Sequence, residues 1–133
     1  MADRLNRTDL HYAAKDGDND RVRALLLDGL DPNATDANGW TPLHFAAQAW
    51  SEPVVRLLLE AGAQLDPPDD QGNTPLFRAV FESRGRGEVI ILLRQAGADP
   101  TIRNQSGIAP ADLARTIGNY DVAQYFADLP PAG

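Results

Sequence analysis

The chain has 133 residues, 43% hydrophobic and 23% charged, a balance that suits one compact domain and argues against a disordered chain. It contains no cysteine, which excludes disulfide frameworks, thiolate metal sites and cysteine nucleophiles. The net charge of −7 disfavours contact with nucleic-acid backbones; it either serves solubility alone or steers a basic protein partner. The N-terminal stretch has no apolar signal-type region and no run is long enough to cross a membrane, so a cytoplasmic location with no membrane contact is expected.

Taken in order, the helix signals recur. Thr8-Asp9-Leu10-His11-Tyr12-Ala13-Ala14 is followed by the apolar stretch Val22–Leu27 and by Gly29. Thr41-Pro42-Leu43-His44-Phe45-Ala46-Ala47 returns 33 residues later, followed by Val54–Leu59 and Gly62. Thr74-Pro75-Leu76-Phe77-Arg78-Ala79-Val80 follows after another 33, with Val89–Leu93 and Gly97 behind it. Ala109-Pro110-Ala111-Asp112-Leu113-Ala114 and Val122–Phe126 complete a fourth set. Thr41 is placed to cap a helix and Pro42 suits its first position. Leu43, Ala46 and Ala47 share one helical face, and Val54–Leu59 is too apolar to stand uncovered. The Asp-, Pro- and Gly-rich segment 66–72 predicts a projecting turn.

A third landmark, Gly39, Gly72 and Gly107, keeps the same step of 33 and then 35. Together these patterns resemble the ankyrin-repeat family. The resemblance implies an all-α solenoid of four helix-turn-helix units with projecting β-hairpin loops and eight main helices. It covers nearly the whole chain, from about Asp3 to Leu129, and implies one domain over residues 1–133, with units at about 3–35, 36–68, 69–103 and 104–129. The first and last units read as caps, from Asp3, Arg4, Asn6, Arg7 and Asp9 at one end and Leu129 to Gly133 at the other. A second domain is therefore not expected within these residues.

His11 and His44, the only histidines, occupy one motif place, and the resemblance makes them structural, bonding across turns. No Ser-His-Asp or Glu-His spacing offers a nucleophile, the turn Asp residues form no carboxylate pair, and no phosphate loop is present. Catalysis, metal and cofactor are therefore not expected. The informative positions depart from the repeat. Between paired helices the family places glycine, as at Gly17 and Gly118, whereas Trp50 and Ser83 stand there in the middle units. Trp50 either meets a partner or folds back to fill a gap. Trp40, Asn73 and Ile108 share the variable slot at the hairpin tip, with Asn38 and Gln71 beside it. Gln48, Phe81 and Glu82 end inner helices. The resemblance places these tip and helix-end residues on a concave, partner-binding face; for Trp40 the alternative is partial packing on the next hairpin. The two extra residues of the third unit fall around Arg84 and Arg86, a loop that either contacts the partner or is merely solvated.

The expected function is the capture of one protein partner, a basic protein such as a toxin, by a monomer that inhibits it by occlusion. In the stretch 74–87, Thr-Pro-Leu-Phe-Arg-Ala-Val-Phe-Glu-Ser-Arg-Gly-Arg-Gly, and in Ile117-Gly118-Asn119-Tyr120-Asp121-Val122, the compact chain also resembles bacterial ankyrin immunity proteins, and the 11-to-1 excess of Arg over Lys fits a GC-rich bacterial gene. A general adaptor or kinase-inhibitor role is the alternative.

Overall fold

A computed structural model describes residues 4–117 and 120–130. Seven α-helices follow one another: α1 (Asp9–Lys15), α2 (Asn19–Leu27), α3 (Pro42–Gln48), α4 (Glu52–Glu60), α5 (Pro75–Phe81), α6 (Glu88–Gln95) and α7 (Pro110–Thr116). A terminal 3-10 helix spans Val122–Phe126. The odd-numbered helices stack as an inner row, α1 on α3 on α5 on α7, while α2, α4 and α6 stack behind them. The molecule is an all-α repeat solenoid.

Local chemistry sets where the inner helices begin. The Oγ atoms of Thr8, Thr41 and Thr74 accept the backbone N–H of His11, His44 and Phe77 at 3.4, 3.4 and 3.3 Å. Pro42, Pro75 and Pro110 open α3, α5 and α7, where a missing N–H costs nothing. Leu10, Leu43 and Leu76 are fully buried, and small Ala13, Ala14, Ala46, Ala47, Ala79 and Ala114 bring the row close together. Behind, Val22, Val54, Val55, Leu58, Ile90 and Leu93 seal the gap between rows. Gly62, at φ +94°, closes α4 with a paired turn: its own N–H bonds Leu59 O and that of Ala63 bonds Leu58 O.

Each projecting loop is a tight turn, and no strand occurs among the described residues. A single side chain organises each. Asp36 Oδ1 accepts the N–H groups of Asn38 and Trp40, Asp69 Oδ1 those of Gln71 and Asn73, and Asn104 Oδ1 those of Ser106 and Ile108. Single backbone bonds then join successive tips: Ala37 N–H to Leu5 O, Asp70 N–H to Asn38 O, and Gln105 N–H to Gln71 O, at 2.7 to 3.0 Å. Gly72 is required there. Its φ is +80°, and a Cβ would come within 3.0 Å of the Asn104 backbone.

Two expectations are corrected. The eighth helix is a 3-10 helix, not an α-helix. It has only five residues, buries Val122 and Phe126 alone, and meets Pro130 soon after. Arg94 holds it, paired with both carboxylate oxygens of Asp128 at 2.6 and 2.9 Å and bonded to Tyr125 O at 2.8 Å. The glycine-preferring place between helices is the second case. Trp50 does adopt it, with φ +56° beside +66° at Gly17. In the third unit the extra residues move the positive φ to Arg84 (+49°) and Gly85 (+87°), in a turn closed by Arg86 N–H on Ser83 O. Asp3, Gly118, Asn119 and the tail residues Pro131 to Gly133 lie outside the described residues.

Candidate partner-binding face

The two histidines join neighbouring units. His11 Nδ1 accepts the Thr8 N–H at 3.0 Å, and Nε2 reaches Trp40 O at 2.9 Å. His44 repeats this with the Thr41 N–H at 3.0 Å and Asn73 O at 2.9 Å. Burial lowers the pKa of both rings, that of His44 to about 4, and an Nδ1 that accepts a backbone N–H belongs to a neutral imidazole. With Nδ1 accepting, the ring proton sits on Nε2.

On the front of the inner row, aromatic and cationic side chains alternate. Arg7 lies 5.7 Å from the Tyr12 ring and 4.8 Å from that of Phe45. Trp40 packs on Phe45 at 4.7 Å, Arg78 lies 4.5 Å from the Trp40 ring, and Phe81 is 5.8 Å beyond Arg78. Each cation also faces a turn carboxylate: Arg7 Nε bonds Asp36 Oδ2 at 3.2 Å, and Arg78 approaches Asp69 Oδ2 at 3.7 Å. The ladder ends on Phe81, which is 55% exposed.

Between the second and third tips lies a hollow of about 350 Å³, lined by Asn38, Trp40, Asp69, Asp70, Gln71 and Arg78. Three of the residues singled out from sequence, Asn38, Trp40 and Gln71, therefore meet in one place. Asn38 and Gln71 are exposed. Trp40 is half-buried and more enclosed than a bare tip residue would be, touching the rings of His44 and Phe45. Asn73 does not present itself. It is 5% exposed, its backbone serves His44 and Asp69, and its Oδ1 accepts from Asn104 Nδ2 at 2.8 Å. Ile108 stands at the last tip, 38% exposed, and Gln48 and Glu82 are half-buried at helix ends.

Trp50, Arg84 and Arg86 form a second group. The Arg86 guanidinium lies 4.1 Å from the Trp50 ring and that of Arg84 5.9 Å away. Their loop is clamped from the far side. A Cβ on Gly85 would meet Tyr120 Cδ1 at 2.9 Å, and one on Gly87 would collide with the Tyr125 ring. Both arginines are exposed and take no carboxylate among the described residues.

Sequence reasoning set Arg7 in the tip slot of Trp40 without counting it as a contact, and missed Phe45, Asp69, Asp70 and Arg78 as parts of this face. One signal was available. Aligned by the repeat, Tyr12, Phe45, Arg78 and Leu113 form a column in which Arg78 alone is charged.

The family model for ankyrin repeats, in three copies, matches residues 10–104. The chain belongs to the ankyrin-repeat family. Ankyrin repeats are protein–protein interaction modules, and the family typically binds without catalysing. The chain is 34% identical over 123 residues to the tyrosine-protein kinase HTK16 of Hydra vulgaris, covering 92% of its own length and 16% of the kinase. It thus spans about a sixth of that relative. Among the described residues no helix of this ankyrin array is long and apolar enough to cross a membrane.

Proposed function

We propose that this ankyrin domain, four units over residues 1–133, captures one protein partner on its inner-helix and hairpin face and inhibits it by occlusion. The observation that carries the reading is the ladder ending on exposed Phe81 beside the hollow at Trp40. Large rings held in place by neighbours lose little entropy on binding, which is what interface anchors need. The array acts as a cytoplasmic monomer, and its acidity suits a basic partner such as a toxin. The bacterial immunity role follows from the resemblance of its middle and closing segments to such proteins and from its excess of arginine.

The test uses matched baits. Wild type and Phe81→Ala are compared for retained proteins, and the gene beside this one is expressed with and without the chain. A partner lost by the variant, and a growth arrest relieved by wild type alone, support the reading. Equal retention by both baits removes Phe81 and this face from it. The likeness to HTK16 favours a second reading, an adaptor or kinase-regulating segment within a larger signalling protein. Capture of a kinase, with no arrest to relieve, selects it.

A further inference from the structure

The hollow between the second and third tips has a charge and hydrogen-bond imbalance that points to its occupant. Its lining holds two carboxylates, Asp69 and Asp70, against one guanidinium, Arg78. Arg78 is already engaged, by Asp69 beneath it and by the rings of Trp40 and Phe81. Asp70 is exposed, and its carboxylate takes no hydrogen bond or ion pair among the described residues. Its backbone does the local work instead, donating to Asn38 O and accepting from Gln105 Nε2. The side-chain amides of Asn38 and Gln71 are likewise unused among the described residues. Beneath them the Asp69 side chain is 2% exposed and its Oδ2 has no hydrogen-bond donor, with Arg78 no nearer than 3.7 Å. A buried acceptor left in that state is costly, and a donor entering from the hollow relieves it.

The volume, near the lower end of the range for ligand pockets, suits one side chain rather than a large small molecule. The walls ask for several donors on a flat apolar-stemmed group: acceptors at the rim, a buried acceptor below, and an indole at the side. Resting on the reading of this face as the binding surface, we infer that the hollow accepts an arginine side chain of the partner protein. Its guanidinium meets Asp70 and the side-chain amide oxygens of Asn38 and Gln71 at the rim and turns one N–H toward Asp69 Oδ2, and its stem lies along Trp40. Arginine fits better than lysine because its planar fork serves several acceptors at once and its weaker hydration lowers the cost of entry.

The experiment titrates the full chain with four blocked tripeptides, acetyl-Gly-X-Gly-amide with X as Arg, Lys, Glu or Phe, followed by amide and indole NMR signals. The arginine peptide is expected to shift Asn38, Gln71 and the Trp40 indole in a saturable way, more tightly than the lysine peptide. Asp70→Asn is expected to weaken it about fivefold while leaving the melting temperature unchanged. A lysine peptide that binds as tightly overturns the arginine assignment. So does a phenylalanine or glutamate peptide that shifts the hollow more strongly, although the face then survives as a binding surface. Shifts confined to α2, α4 and α6 for every peptide overturn both the pocket and the reading beneath it.

Discussion

The seam between the first and second units and the seam between the second and third are built from the same parts but finished differently. Each has a neutral histidine spanning to the next unit, a turn carboxylate with one oxygen on backbone N–H groups, and an arginine against the other oxygen. In the first seam Arg7 donates directly to Asp36 at 3.2 Å. In the second, Arg78 stands off at 3.7 Å, and both its Nε and the Asp69 Oδ2 are buried without a hydrogen bond. The first seam is complete in itself. The second keeps unmet bonding capacity beside an open hollow, the pattern expected where stability has been conceded to a binding site.

Acid should separate the seams most strongly. The folded His44 sits near pKa 4, below its unfolded value of 6.5, so the unfolded chain binds the proton first. Its contribution is complete above pH 6.5 and falls as pH drops toward 4, by about 3 kcal/mol in all. Urea unfolding across that window should show the slope, and His44→Phe, the residue the third unit uses there, should flatten it more than the same change at His11. A slope unaffected by either variant would assign acid sensitivity to the carboxylates alone.

Next come the arginines. Removing Arg7 leaves the Asp36 carboxylate, whose side chain is wholly buried, without its ion pair. Arg7→Ala should cost about 2 kcal/mol and Arg78→Ala about half that, because less is lost where the pair is loose. Equal costs in denaturant melts would mean that the 0.5 Å difference between 3.2 and 3.7 Å has no energetic meaning.

Aromatic truncations probe binding. Phe81→Ala should weaken partner affinity about tenfold with little change in unfolding, since the ring is largely exposed. Trp40→Ala should impair both, because that ring touches His44, Phe45 and Arg78. Isothermal titration beside thermal melts would distinguish the two; loss of stability in Phe81→Ala would place it in the core. The smallest effect belongs to Arg84→Ala with Arg86→Ala. Loss of two surface cation–π contacts to Trp50 should cost about 1 kcal/mol or less, and no change at all in the melt would mean the stacking is incidental.

The repeat spacing made the inner helices, their threonine caps and the shared role of the histidines legible, because each depends on residues within one turn or on a fixed offset. The last helix was harder to foresee. Whether Val122–Phe126 winds as α or 3-10 depends on its length before Pro130 and on the Arg94 side chain that pins it from α6, and periodicity does not carry that. Asn73 looked like a tip residue because its slot varies, yet Asn104, 31 residues later, draws it inside. The ladder was hidden for a similar reason: Arg7 comes from the tip slot and Arg78 from a helix, so no single column of the repeat contains both cations. The Arg84 loop read as either a contact or a solvated segment. Its clamp by Tyr120 and Tyr125 comes from the following unit and leaves no mark in the loop itself.

The histidine relays also give the molecule two internal reporters. Each Nε2 proton is held on a carbonyl of the next unit, one in each of the first two seams. Such imidazole protons exchange with water only when their seam parts, so two resonances should record two separate opening rates. If the seams part independently, the first unit can separate at His11 while His44 stays protected. If they part together, both signals disappear at one rate, and the array unfolds as a single cooperative body rather than as a stack of separable leaves.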